Sequence, residues 1–145
     1  MPTGTFKITI NKFRSLGGAF PTSAHMTPDK DNPPCITIQG ENITVKGKEP
    51  VKLIFELAIK QQTSEPGHVL LGVAFAANSP SVTVGLHTFP IVEITRRPDG
   101  STMTVTNQPQ NLGVPQRYDY VILVQSVDTG DIGIIDPDFV NEANA

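Results

Sequence analysis

The chain has 145 residues, enough for one domain with a two-layer core. Its hydrophobic content of 38%, with seven Phe, two Tyr and no Trp, makes that core mostly aliphatic, and twelve glycines with thirteen prolines suit strands and turns better than helices. A net charge of −3 without a basic block gives no electrostatic case for nucleic acid, and the single cysteine, Cys35, excludes an internal disulfide framework or a Cys-rich zinc site.

The polar N-terminus leads straight into an alternating segment, with no charged region followed by an apolar one and no run of about 18 apolar residues. Neither a secretory signal nor a membrane span is expected, and a soluble cytoplasmic protein is the expectation. Phe6, Ile8 and Ile10 alternate with Lys7 and Thr9, the pattern of a half-buried strand. Gly17-Gly18 then predicts a bend. Residues 21–34 hold four prolines and several charges and read as one long loop.

Short strands are expected at 35–39 and 43–45, joined by a turn at Gly40-Glu41-Asn42. Residues 51–60 form the clearest strand: Val51, Leu53, Phe55, Leu57 and Ile59 alternate with Lys52, Ile54, Glu56, Ala58 and Lys60. Glu65-Pro66-Gly67 is a turn. Residues 68–77 are almost continuously apolar and predict a central strand buried on both faces. Strands follow at 82–86 and 89–96, where Pro90 marks an edge or a bulge. Pro98-Asp99-Gly100-Ser101 makes a hairpin to 102–106. After a loop at 107–116, residues 118–127 alternate strongly, and a turn at 128–131 leads into Ile132–Ile135. No segment has helical periodicity. Eight to ten short strands with turns every 8–12 residues predict an all-β fold, an antiparallel immunoglobulin-like β-sandwich in a single domain spanning 1–145.

Candidate chemistry is sparse. His25, His68 and His87 lack ligand spacing, and Asp128, Asp131, Asp136 and Asp138 do not match a calcium loop, so no metal or other cofactor is expected. Cys35 sits in a strand and reads as a structural thiol. The Asp136–Pro137 bond stands out. Its Asp side chain can attack its own main-chain carbonyl through a five-membered ring, and the proline nitrogen is a good leaving group once protonated. Asp-Pro is also ordinary turn chemistry. From Asp128 to the end there are five acids and no base, and clustered carboxylates raise one another's pKa, so one stays protonated more easily. The same acids also read as solvated turn charges.

Lys48-Glu49-Pro50 at the start of the clearest strand, together with Ile134-Ile135-Asp136-Pro137, resembles the small bacterial DP-EP family, named for its Asp-Pro and Glu-Pro pairs. The resemblance runs from the first strand to Phe139. It implies a β-sandwich that cuts itself at the Asp-Pro bond, here Asp136–Pro137, with the short piece 137–145 retained in the sandwich. It also implies a link from the new aspartyl end to a lysine. No lysine follows Lys60, which leaves only earlier lysines such as Lys52 or Lys60 for that link.

In this reading a single-turnover, aspartic-type self-cleavage uses Asp136 and Pro137, with Glu49 or Asp131 as the assisting carboxylate and Asp119 and Asp138 behind them. Arg117 holds the charge developing on the carbonyl oxygen. The partner is the chain itself, as a retained peptide or a homo-oligomer. The competing reading is a non-enzymatic structural or interaction module. A carbohydrate-binding sandwich is disfavoured by the absence of Trp.

Overall fold

In a computed structural model the alternating segments become eleven strands, and no helix occurs among the described residues, which are 1–18, 20–40, 42–58, 67–77, 88–109, 116–136 and 138–142. In chain order they are β1 (Thr3–Lys12), β2 (Ser23–Pro28), β3 (Ile36–Gln39), β4 (Asn42–Lys46), β5 (Val51–Ala58), β6 (His68–Ala77), β7 (Ile91–Arg97), β8 (Gly100–Asn107), β9 (Gln116–Ser126), β10 (Ile132–Ile135) and β11 (Asp138–Glu142). The fold is all-β, and its two sheets share one core, an arrangement consistent with a β-sandwich.

The first sheet runs β2-β1-β5-β8-β7. In the second, β10, β9, β11, β4 and β3 follow in order, and β6 lies along β9. Pairing is not wholly antiparallel as the sequence pattern predicts: β1 runs parallel to β5, and β11 runs parallel to β4. Both departures have the same cause. They join strands distant in sequence, where no hairpin turn dictates direction.

The sequence alternation translates directly into burial. On β1, Phe6, Ile8 and Ile10 are buried while Lys7 is exposed; on β5, Val51, Leu53, Phe55 and Leu57 are buried. Phe55 stacks on Phe6 at 5.7 Å and meets Tyr120 of β9 at 6.4 Å, so this aromatic contact crosses between the sheets. Each such side chain contributes on the order of 1.5–3 kcal/mol through burial. A buried hydrogen bond also spans the layers: the Leu70 N–H donates to Ser101 Oγ at 2.9 Å. It lies beside the register shift between Leu70 and Gly72, where a bulge frees a backbone group from the β6–β9 ladder.

Three expectations change. The region 21–34 is not one loop, because β2 lies within it. Ala24 and Met26 turn inward opposite Ile10 and Ile8, and pairing with β1 outweighs the proline-rich surroundings. Beyond Pro28, Asn32 continues the edge: its side-chain amide accepts from Thr5 N–H at 2.8 Å and donates to Thr5 O at 3.0 Å. The strand at 68–77 is not buried on both faces. Among the described residues it pairs with β9 alone, and Ala74 and Ala76 are exposed. Finally, a strand follows Pro137, where the sequence reading ends at the turn. The expected strand at 82–86, and the last two residues of 51–60, lie outside the described residues.

Candidate functional site

The end of the chain is built around β9. Its C-terminal half pairs with β10, from Ile132↔Gln125 to Ile135↔Ile122, and its N-terminal half pairs with β11, from Asp138↔Asp119 to Asn141↔Gln116. Two residues separate the paired positions Ile135 and Asp138, and two separate Ile122 and Asp119. The register therefore passes from β10 to β11 without a slip. Asp136 stands at this junction, outside both strands and exposed to solvent. Pro137 lies outside the described residues.

The other edge of β10 is covered by the segment from Phe13 to Thr22, whose Leu16 N–H donates to Ile132 O at 2.7 Å and whose Thr22 N–H donates to Ile134 O at 2.8 Å. Thr22 Oγ1 closes this segment on itself by accepting from Arg14 N–H and donating to Arg14 O, both at 3.0 Å. The crossing happens over Gly133. A Cβ there would lie 2.6 Å from Arg14 O and from Thr22 Oγ1, and 2.8 Å from the Phe13 ring, so only glycine fits without displacement. The Phe13 ring also packs on buried His68, 4.7 Å between centroids.

Between this strap and the end of β10 lies a groove of about 190 Å³, lined among others by Arg14, Leu16, Phe20, Ile134 and Asp136. Arg14 is held in place: its guanidinium lies 5.4 Å from the Phe20 ring centroid, and Nη1 donates to Pro21 O at 3.3 Å. It shares the groove with Asp136 without forming an ion pair with it. Sequence reasoning missed Arg14, because nothing in the spacing links residue 14 to residue 136; only the strap joins them.

The other sequence-predicted residues are dispersed. Asp131 closes the turn between β9 and β10, its N–H donating to Thr129 Oγ1 at 3.2 Å and its carbonyl accepting from Ser126 N–H at 2.9 Å. The whole of β10 separates it from Asp136, roughly 16 Å at the rise of an extended strand. Glu49 is exposed in the bend between β4 and β5. Because β4 runs parallel to β11, Lys46 lies opposite Glu142, about 20 Å along the strand from Asp136. The three residues from Lys46 to Glu49 span at most about 10 Å and do not return it to the junction. Arg117 is opposite Val140, four positions beyond the junction. Asp119 does come close, paired with Asp138 two residues past Asp136. Asp119 and Asp138, placed behind the others by sequence, are thus the carboxyl-bearing residues nearest Asp136 in the register.

A larger groove of about 400 Å³, on the outer face of the first sheet, holds Lys7, Lys30, Asp29 and Glu56 and none of these candidates. Among the described residues no three of His, Cys, Asp and Glu come together as a metal site, and no helix is long and apolar enough to cross a membrane. No protein-family model matches the chain, and neither does any curated protein.

Proposed function

We propose that this protein is a cytoplasmic, immunoglobulin-like β-sandwich that cuts its own Asp136–Pro137 bond once, in the manner of the DP-EP family that its Glu49-Pro50 and Asp136-Pro137 pairs resemble. The observation that supports the reading is the junction itself. Asp136 is exposed and belongs to no strand, while the elements on both sides are held on β9 in one register. A cut there breaks no ladder hydrogen bond of either strand, and β11 stays clasped between β9 and β4.

In this reading the Asp136 carboxyl oxygen attacks the Asp136 main-chain carbonyl carbon. The proton passes to the Pro137 nitrogen, the C–N bond breaks, and a cyclic anhydride remains on Asp136 with a free secondary amine on Pro137. Water opens the anhydride. Asp119 and Asp138, the acidic residues nearest Asp136 in the register, assist, and Arg14, lining the same groove as Asp136, steadies the charge on the carbonyl oxygen. Glu49 in its bend, Asp131 in its turn and Arg117 on β9 stand further off. No cofactor enters the chemistry.

Intact-mass spectrometry of denatured, aged protein tests this. The expected result is two species, 1–136 and 137–145, summing to the full mass plus one water, and their disappearance in the Asp136→Ala protein. One unchanged species at mildly acidic pH overturns the reading.

A second reading, an interaction module without self-cleavage, is favoured by a different observation. Leu16, Phe20, Val127 and Ile132 are exposed large apolar residues, and they belong to the strap and to the two ends of the β9–β10 turn. An unchanged mass together with concentration-dependent association would support it.

A further inference from the structure

The last strand occupies an unusual place. β11 is the last element among the described residues, yet it lies inside the second sheet, antiparallel to β9 on one side and parallel to β4 on the other. The β3–β4 hairpin reaches the rest of its sheet only through it among the described residues, since the remaining edge of β4 pairs with β3. A chain without β11 in place would expose two facing edges, Ile43–Lys46 on β4 and Gln116–Asp119 on β9, whose unpaired N–H and C=O groups are a template for another strand.

We propose that this slot exchanges its occupant: β11 of one copy of this chain enters the space between β4 and β9 of a second copy. Two features carry the inference. First, the element is only five residues long and, among the described residues, pairs with β4 and β9 alone. Second, its tether is the Asp136–Pro137 pair. Asp136 is outside both strands, and a proline nitrogen has no hydrogen to donate to β9. Mass action then favours the exchange. The exchanged contacts equal those of the monomer, so the association entropy of the dimer is the main opposing cost, and the exchanged form grows with protein concentration. The occupant is fixed by the slot, which is built for an extended segment parallel to β4 and antiparallel to β9, as residues 138–142 already are.

The inference does not depend on self-cleavage, and the test is made in full-length Asp136→Ala chains, also carrying Cys35→Ser, so that the only thiols are introduced ones. Val140 pairs with Thr44 across the β11–β4 edge. Neighbouring strands lie about 4.8 Å apart, within the Cα separation a disulfide tolerates. A chain carrying both Thr44→Cys and Val140→Cys is expected to close within itself, which checks the register. A mixture of Thr44→Cys chains with Val140→Cys chains, left under mild oxidation without denaturant, is expected to accumulate a species of twice the monomer mass. Its formation rises with concentration and exceeds that of either variant alone. If the double variant closes while the mixture gives no more dimer than the single variants, exchange does not occur. If the double variant fails to close, the slot is not filled in this register and the proposal falls with it.

Discussion

The two sheets solve the same problem with different outer faces. In the first, the outward positions carry Thr5, Lys7 and Thr9 on β1, Glu56 on β5, and Thr102 and Thr104 on β8, with Ile54, Ala58 and Ile91 as apolar exceptions. In the second, they carry Val69 and Ala74 on β6, Val121 and Leu123 between Asp119 and Gln125 on β9, and Ile134 on β10, with Thr37 and Thr44 on β3 and β4. The inner faces are alike, aliphatic with a few aromatics. The first sheet is thus an ordinary half-solvated layer. The second has apolar side chains on both faces along β6, β9 and β10, and it is the one completed by β11, carries the strap and contains the Asp136 junction.

The largest test of this contrast removes β11. A chain ending at Asp136 loses the strand that joins β4 to β9, and we expect more than about 4 kcal/mol of destabilisation or loss of a cooperative transition in urea. The same cut made in the intact chain should leave stability nearly unchanged while the peptide stays bound, so the two transitions are to be measured side by side. Equal midpoints for the truncated and full-length chains would mean that the second sheet does not need its last strand.

Next comes the shared core. Phe55→Ala, which takes away the ring between Phe6 and Tyr120, is expected to cost about 3–5 kcal/mol, read as a fall in the denaturation midpoint at unchanged m-value. Gly133→Ala should cost about 1–3 kcal/mol, because its methyl group meets the Arg14 and Thr22 atoms that hold the strap. The signature is local: faster hydrogen exchange at Leu16 and Thr22, whose N–H groups bond to β10, without comparable change at Phe55. Uniform acceleration across both sheets would deny the strap any separate role.

What the sequence revealed follows the same division. The first sheet was legible wherever one face meets water, because alternation at β1, β5 and β8 is a period-two signal that solvent imposes. β6 was misplaced for the opposite reason. Its outward Val69 and Ala74 are apolar, so the run from 68 to 77 looks doubly buried although β9 is its one described partner. β2 and β11 were missed because each is short and beside proline, and each is stabilised by its partners, β1 for β2 and β4 with β9 for β11, rather than by a pattern of its own. Asp136 could be singled out from local chemistry alone. Arg14 could not, because its place beside Asp136 depends on the Thr22 bonds and the space over Gly133.

The smallest expected effects test the outer faces directly. Thr104 faces outward between Ile54 and Glu93, half-buried and on the polar sheet. Thr104→Val exchanges a hydroxyl for a methyl where neither is enclosed, and its stability should change by no more than about 0.5 kcal/mol. Leu123 is the counterpart on the second sheet, half-buried between Gly72 and Ile134. Leu123→Thr removes apolar area that is partly hidden from water and should cost about 1 kcal/mol, near half the value of a fully buried leucine. Thermal melts of the pair decide the matter through their difference rather than their absolute values. A loss for Leu123→Thr that grows with protein concentration would assign part of this face to contact between copies. A loss of about 1 kcal/mol at every concentration would make the apolar outer face a property of the folded chain alone.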